Sequence, residues 1–311
     1  MLTLFSTAKP FTGHSKIIQR NALQSWKLLH PSVEVILFGD EEGAAAVCAE
    51  MGLRHEPHVE RNESGLKSVQ YLFSRAQQIA QHDYLCYSNC DMVLLDDFLK
   101  AFEKARAWRE KFLVVGRRWD TEVTLPIDFS RPSWANDLRH LALTSGVLQH
   151  PGFIDFFLFP KGLYDHIPPL VIGRSYWDHW LVWKALSNGA ALLDCSRFVV
   201  PVHQNHDYGY HPDGKRGTDR DAIALRNKLL SGNGRHLRSI LDSTHRLTSD
   251  GEIRRNFLRP MIRSAPFGRV DYGRARLKMR EQWQGLINKT SSIRNRIGLR
   301  RDTLRKLFGR A

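Results

Sequence analysis

The chain has 311 residues, of which 42% are hydrophobic and 25% charged, a composition from which a globular core is easily built. Its formal net charge is +14, and this charge is unevenly placed. Residues 235–311 carry 20 lysines and arginines against 6 acidic residues, whereas residues 1–234 are balanced. No run of the sequence approaches the ~20 apolar residues that a membrane-spanning helix needs, so the sequence excludes an integral membrane protein of that kind.

The cysteines and the N-terminus bear on the cellular compartment. The four cysteines, at positions 48, 86, 90 and 195, show neither a CxxC pair nor any other metal-ligand spacing, which indicates reduced thiols. Residues 1–6 contain neither the basic region nor the cleavable apolar region of a secretion signal. From both features we expect a cytoplasmic protein.

The first 118 residues alternate between strand and helix patterns. The predicted strands are 2–7, 34–38, 54–58, the interrupted strand 84–95, and 112–116. The predicted helices are 15–30, 41–51, 66–81 and 98–109. This alternation predicts an α/β fold, Rossmann-like in kind, whose mainly parallel sheet is flanked by helices.

The pattern weakens after residue 118. Residues 120–152 are typical of a loop region with one helical piece at 134–143, followed by the expected strand 153–160, helix 178–187 and strand 191–198. A segment rich in His, Asp, Gly and Pro then predicts a loop over 199–217. We therefore expect one α/β domain, large enough to be a catalytic domain, over residues 1–234. A basic, largely helical extension is expected over residues 235–311.

Two polar side chains interrupt the apolar strand at 84–95. Asn89 and Asp91 are one residue apart, so both side chains leave the strand on the same side, at the carboxyl edge of the predicted sheet. Open α/β folds bind their ligands at this edge. A carboxylate there suits a hard divalent cation whose shell is completed by phosphate oxygens. An Asx turn at the end of the strand explains the spacing equally well.

A resemblance to a known family follows from five segments in order. They are residues 4–11, 38–40, 87–91, 152–157 and 176–180, and they cover roughly the first 210 residues. The chain resembles the glycosyltransferases of the GT-A type, which transfer a sugar from a nucleoside-diphosphate sugar. In this resemblance Asn89-Cys90-Asp91 takes the position of the family's DxD motif, with Asn89 replacing its first aspartate.

The resemblance implies a divalent cation, Mn²⁺ or Mg²⁺, that neutralises the leaving diphosphate. It implies Asp91 as a metal ligand and His203 as a second, with His206 competing for the same role. It also implies Asp178 as the base that deprotonates a hydroxyl acceptor. A role as the N-cap of the following helix explains an aspartate at this position equally well. Asp155, a lone carboxylate in an apolar strand, is the rival catalytic residue.

The resemblance implies a nucleotide-sugar donor, with a UDP-sugar as the expected choice. Polar residues at the ends of strands are expected to bind it. These are Thr7, Lys9, Asp40, Lys67, Asn89, Arg117 and Arg118. An arginine pair binds phosphate well, although pairing with Asp120 is the simpler role for Arg117 and Arg118.

Three further interpretations concern the partners. A sugar-1-phosphate nucleotidyltransferase shares the fold but carries a glycine- and arginine-containing loop that residues 6–13 lack. A non-enzymatic protein that binds nucleic acid or another anionic surface would explain the basic extension, but no nucleic-acid motif is present and we expect no nucleic-acid partner. Basic amphipathic helices in 235–311 predict contact with an anionic membrane surface, and hence a peripheral location at the inner face of the membrane and a lipid-linked or cell-surface glycan acceptor.

Overall fold

The structure is a computed structural model that describes residues 1–206 and 221–256. Its strands are β1 Leu2–Thr7, β2 Glu34–Phe38, β3 Arg54–Glu56, β4 Tyr84–Ser88, β5 Met92–Val93, β6 Phe112–Val115, β7 Trp119–Thr121, β8 Val147–Leu148, β9 Phe156–Pro160, β10 Ala191–Asp194, β11 Val202–Gln204, β12 His245–Leu247 and β13 Ile253–Arg255. Its helices are α1 Gly13–Lys27, α2 Ala44–Met51, α3 Val69–Ile79, α4 Asp96–Trp108, α5 Trp134–Ser145, α6 Trp177–Ser187 and α7 Ala222–Leu230.

The larger of the two sheets in the described part of the chain has nine strands in the order β13-β12-β10-β6-β9-β4-β1-β2-β3. Most neighbours are parallel, as the sequence predicts, but β9 runs antiparallel to both β4 and β6, and β13 runs antiparallel to β12. Because β9 is reversed, the residues just before it lie at the carboxyl edge of its parallel neighbours.

Both faces of this sheet are buried under helices. In β2, Val35 and Leu37 join the apolar cluster that contains Trp26 of α1, while Ile36 and Phe38 join the cluster on the other face. The alternation follows from the strand geometry, which sends successive side chains to opposite faces. A strand buried on both faces has no polar side, and this explains the continuous apolar run at 35–38.

A smaller sheet stands beside the carboxyl edge, in the order β5-β11-β7-β8. Its strands β7, β8 and β11 fall where the sequence predicts loops, so that part of the prediction is wrong. These strands are only two or three residues long, and their polar residues, such as Asp120 and His203, pair with each other rather than with water. Strands this short leave too little periodicity to be recognised from sequence.

The boundary predicted at residue 234 is not where the fold ends. Strands β12 and β13 belong to the large sheet, and the first compact unit runs from Met1 to Arg259. The change in charge after residue 234 therefore lies within the first compact unit and not at its end. Two parts of the predicted helical extension, residues 245–247 and 253–255, are strands instead, whereas the amphipathic segments predicted further on lie outside the described residues.

A search of the described residues for bilayer-crossing helices finds none that is both long enough and apolar enough.

Candidate active site

Three parallel strands end at one edge of the large sheet and bring the predicted polar residues to it. Thr7 closes β1, Asp40 follows β2, and Asp91 follows β4. Asp155 reaches the same edge because it immediately precedes the reversed strand β9, where its carbonyl accepts a hydrogen bond from the Asn89 amide at 2.9 Å. This is the edge at which open α/β folds bind ligands.

Asp91, His203 and His206 form a cluster with the spacing of a metal site. One ligand atom from each residue can be chosen so that all three lie within 4.8 Å of one another. Asp91 Oδ2 lies 3.8 Å from His203 Nε2 and 3.2 Å from His206 Nε2. The structure thus brings together the three residues that the sequence proposed as metal ligands.

The backbone around Asp91 is fixed by β11. The Gln204 amide and the Gln204 side chain both donate to the Asp91 carbonyl, at 3.2 and 3.1 Å, and Gln204 is fully buried. Among the described residues, Asp91 Oδ1 is buried and has no hydrogen-bond partner. Burial opposes ionisation of Asp91, but His203, His206 and Arg118 hold its pKa below the ordinary value. The residue is therefore an ionised carboxylate with an unused oxygen.

This donor set fits a divalent transition metal. Asp91 offers a hard oxygen and the two histidines offer imidazole nitrogens, a combination that Mn²⁺ accepts and that Mg²⁺, which favours oxygen ligands, accepts less well. The unpartnered Asp91 Oδ1 is the observation expected of a ligand oxygen. Asp91, His203 and His206 are therefore the residues that would hold a cation.

Asp155 and Asn89 are bound to each other. Asn89 Nδ2 donates to Asp155 Oδ1 at 2.6 Å, and the Tyr87 hydroxyl donates to Asn89 Oδ1 at 3.1 Å. Both ends of the Asn89 amide are thus engaged by neighbouring side chains. Asp155 Oδ2 is buried without a partner in the described part of the chain.

Arg118 lies between two carboxylates and is almost fully buried. Its Nη1 donates to Asp155 Oδ1 at 2.9 Å, and its Nε lies 2.8 Å from Asp120 Oδ1. The guanidinium also lies over the Phe153 ring, 5.1 Å from the centroid. The pairing with Asp120 is the alternative that the sequence analysis left open for Arg118.

Arg117 takes a different direction from Arg118. Its guanidinium donates to the carbonyl oxygens of Leu148 and Gln149, next to β8. These contacts fasten the edge of the small sheet. The structure therefore separates two neighbouring arginines that the sequence assigned to one phosphate site.

Asp178 is the second residue of α6 rather than its cap. The preceding Tyr176 is the N-cap, with a left-handed backbone at φ +87°, a conformation that costs a non-glycine residue about 1–3 kcal/mol. The ring of Trp177 packs against Tyr87 and Phe157 at centroid distances of 5.5 and 5.8 Å. These contacts place the start of α6 against β4 and β9, and so place Asp178 near Asp155.

The environment of Asp178 favours the protonated acid. Burial raises its pKa, and the negative charge of Asp155 adds to this, while the nearby His179 opposes it. Its Oδ1 is buried and lacks a hydrogen-bond partner among the described residues. A helix N-terminus lowers the pKa of a nearby carboxyl group, but burial outweighs that effect on Asp178.

A second group of charges surrounds the ends of β1 and β2. Lys67 is buried, donates to the Ala8 carbonyl at 2.7 Å and pairs with Glu41 Oε1 at 2.5 Å. Burial lowers the pKa of Lys67. Asp40, by contrast, has a side chain that is 73% exposed and pairs with Arg61 at 2.9 Å. The buried acid at this edge is thus Glu41, one residue after the one that the sequence proposed.

Thr7 and Lys9 frame the loop after β1. Within the described residues, the buried Thr7 hydroxyl has no hydrogen-bond partner. The backbone of Lys9 is held by Gln19, which accepts from the Lys9 amide at 2.6 Å and donates to its carbonyl at 3.0 Å. This loop is therefore rigid on its α1 side.

An open depression of about 400 Å³ lies beside His206 and is lined by His14, Glu122, Thr124, Asn205 and His206. It gives the metal-ligand cluster access from outside and is in the size range of small-molecule sites.

Three residues of this site were not predicted: Glu41, Asp120 and Gln204. Asp120 and Gln204 lie on strands of the small sheet, which the sequence does not reveal. Glu41 was placed in a predicted helix, whereas α2 begins only at Ala44 and leaves Glu41 in the preceding turn. The acidic pair at 40 and 41 after a buried strand was the available signal.

Comparison with known proteins gives solved structures of similar fold. No protein-family model matches the chain, and neither does any curated protein. S. aureus TarS 1-349 in complex with UDP-GlcNAc has 13% sequence identity and a TM-score of 0.45, with 66% of this chain and 58% of that chain covered. The chain thus spans less than two thirds of the TarS structure.

Glucosyl-3-phosphoglycerate synthase from Mycobacterium tuberculosis is similar over more of its length. Its complex with Mg²⁺ and UDP has 13% identity, a TM-score of 0.47, and coverage of 82% of this chain and 87% of that chain. Its complex with Mn²⁺, UDP-glucose and phosphoglyceric acid has 13% identity, a TM-score of 0.45, and coverage of 75% and 80%. The likeness to these proteins is one of fold alone.

Proposed function

We propose that this protein is a glycosyltransferase that moves a sugar from a nucleoside-diphosphate sugar to a hydroxyl acceptor with the help of a divalent cation. The observation that carries the proposal is the cluster of Asp91, His203 and His206 at the carboxyl edge of the sheet, within 4.8 Å of one another. Sugar transfer of this type needs a centre that stabilises the departing diphosphate, and a bound cation supplies that charge when present.

The charges around the cluster favour a divalent ion. Asp91, Asp120 and Asp155 are largely buried carboxylates, and Arg118 is the cation that pairs with Asp120 and Asp155. The three carboxylates and the one guanidinium, counted without the histidines, leave an excess of two negative charges. Such an excess is costly in a buried site, and one divalent ion removes it.

Asp178 is the proposed base. A base must hold the acceptor proton, and a carboxylate whose pKa is raised by burial does this better than an exposed one. Its unpartnered Oδ1 is available to accept that proton. Because deprotonation of the acceptor permits direct attack on the sugar without a covalent enzyme intermediate, we propose that the reaction inverts the anomeric centre.

Asp155 is proposed to bind a hydroxyl of the sugar or the acceptor. Arg118 and Asn89 both use its Oδ1, and Oδ2 remains for a ligand. An ionised carboxylate oxygen is a strong acceptor for hydroxyl groups.

The nucleotide is proposed to lie at the ends of β1 and β2. Thr7 offers a buried hydroxyl there, and Lys67 with Glu41 offers a positive and a negative group side by side. UDP is the nucleotide held by the M. tuberculosis structures, together with Mn²⁺ or Mg²⁺, and we take the same ligands as the first choice for this chain.

The basic segment 235–311 is proposed to bring the enzyme to an anionic membrane surface. Its 20 lysines and arginines against 6 acidic residues provide the attraction. A lipid-linked or cell-surface glycan precursor is the acceptor class that such a location would serve.

A thermal-shift panel tests the proposed donor. Purified full-length protein is titrated with UDP-, GDP- and CDP-sugars, each with and without Mn²⁺, and positive combinations are then assayed for release of the nucleoside diphosphate. We expect one nucleotide class to raise the Tm only when Mn²⁺ is present. A panel in which no nucleotide sugar shifts the Tm would contradict the proposal.

A further inference from the structure

A continuous series of contacts joins the metal-ligand cluster to Asp155. His203 Nε2 faces Asp91, and on the opposite side of the ring His203 Nδ1 lies 3.0 Å from Asp120 Oδ1. Asp120 Oδ1 in turn contacts Arg118 Nε at 2.8 Å. The series continues through Asp155 to Asn89, as described above.

The series closes on itself, because Asn89 and Asp91 belong to the same turn between β4 and β5. In that turn the Met92 amide donates to the Asn89 carbonyl at 3.2 Å. Four separate segments therefore meet in one ring of contacts, namely the β4–β5 turn, β7 with the residue before it, the approach to β9, and β11. No member can shift without moving a neighbour.

We infer that Asp120 and Arg118 are positioning residues for the cation: Asp120 orients the His203 ring so that Nε2 faces Asp91, and Arg118 holds Asp120 against Asp155. The inference rests on the proposed cation-dependent function. The contact between His203 Nδ1 and Asp120 Oδ1 is at ion-pair distance, 3.0 Å, without the alignment of a hydrogen bond. A negative carboxylate beside Nδ1 favours the ring proton on that nitrogen and so leaves the Nε2 lone pair for a metal.

Burial makes this orientation effective. The side chain of His203 is 5% exposed and that of Arg118 is 6% exposed, so water offers little alternative to either group. The register of the small sheet also contributes, since His203 pairs directly with Asp120 between β11 and β7. Backbone pairing and side-chain contact thus fix the same two residues.

Asp120→Ala tests the inference. Loss of an outer-shell partner of a metal-bound histidine typically weakens metal binding about 10–100-fold, and we expect a loss of that size in the Mn²⁺ dissociation constant measured by electron paramagnetic resonance. The fold should survive, because Arg118 retains Asp155 as a partner.

Asp120→Asn is the conservative variant. Both contacts of Asp120 use the single oxygen Oδ1, so an asparagine oxygen can keep them while the charge is lost. We expect its Mn²⁺ affinity to lie between those of the wild type and Asp120→Ala. Equal losses in both variants would contradict the orienting role.

Asp97→Ala is the matched control. Asp97 is another buried aspartate paired with an arginine, Arg139, but it lies outside the ring. This variant should lower the metal-free Tm and leave the Mn²⁺ affinity unchanged. A folded Asp120→Ala that binds Mn²⁺ as tightly as the wild type overturns the inference and leaves the proposed function standing. A wild type that binds no Mn²⁺ overturns the inference together with the cation-dependent part of the function.

Discussion

Replacing Asp178 by asparagine should stabilise the protein at neutral pH while it removes most of the activity. Asp178 is a buried carboxylate whose Oδ1 has no hydrogen-bond partner among the described residues, and burial raises its pKa. Asparagine has nearly the same shape and no charge. The variant therefore keeps the packing and removes the cost of a buried charge.

The size of the gain follows from the cost of burying a charge, because asparagine places a polar atom at the same position and removes only the charge. An unpaired buried polar group costs about 1–3 kcal/mol and a charged one more, and we take about 1 kcal/mol for the charge alone because the side chain of Asp178 retains 21% exposure. A change of about 1 kcal/mol moves the Tm of a domain of this size by about 2–4 °C. The loss of a general base should reduce turnover by about 10²–10⁴-fold.

The gain in Tm should depend on pH, and the direction of the pKa shift of Asp178 fixes the sign of that dependence. The folded-state pKa lies above the ordinary value of 3.8, so in the interval between the two the folded protein holds a proton that the unfolded chain has released. The contribution of the Asp178 carboxyl to the free energy of unfolding therefore falls as pH rises through that interval. The Tm advantage of Asp178→Asn should be full above the interval and should shrink below it.

Scanning calorimetry of both proteins at about pH 8 and about pH 4.5 measures this difference. Asp97→Asn is the control, because burial also raises the pKa of Asp97 but its carboxylate is paired with Arg139. That variant should lower the Tm at about pH 8. If Asp178→Asn also lowers the Tm there, or if its effect is the same at both pH values, the reasoning is refuted.

Three further predictions concern the cation, the nucleotide end and the basic segment. Mn²⁺ should raise the Tm at lower concentration than Mg²⁺, because two of the three candidate ligands are imidazoles; the reverse order in a thermal-shift titration would contradict the ligand set. Lys67→Met should destabilise the protein by about 1.5 kcal/mol in urea unfolding, because Glu41 loses one charged partner and keeps Arg61 at 2.9 Å; an unchanged free energy of unfolding would show that the pair with Lys67 is not needed. A chain ending at Arg259 should float less with anionic vesicles than the full chain, and equal recovery would exclude a membrane role for residues 260–311.

The core of the fold was predictable from sequence because its strands are buried on both faces. Continuous apolar runs such as 35–38 and 112–115 identify such strands when helical patterns separate them. The reversal of β9 was not predictable, because an apolar run of residues does not indicate whether its strand runs parallel or antiparallel to the neighbouring strands. Strands β12 and β13 were missed because a basic composition concealed two strands of three residues.

Residues of the candidate site were predictable where a single polar side chain at the end of a strand is sufficient for the proposed chemistry. Asp91 and Asp155 are of this kind, as carboxylates in or beside apolar strands. Asp120 was beyond reach, because its role depends on a pairing with His203, more than 80 positions away, across a sheet that the sequence does not show. Asp40 was chosen over Glu41 because sequence cannot tell which of two adjacent acids turns inward.

Isothermal titration of UDP into the wild type and into Asp91→Asn, each with and without Mn²⁺, tests the central proposal most directly. The variant keeps the shape of Asp91 and removes the charge that would hold the ion. We predict that UDP binds the wild type tightly only with Mn²⁺, and that Asp91→Asn loses the Mn²⁺-dependent part. UDP binding that is absent, or that is equally strengthened by Mn²⁺ in the variant, would contradict a cation held by Asp91 at the edge of the sheet.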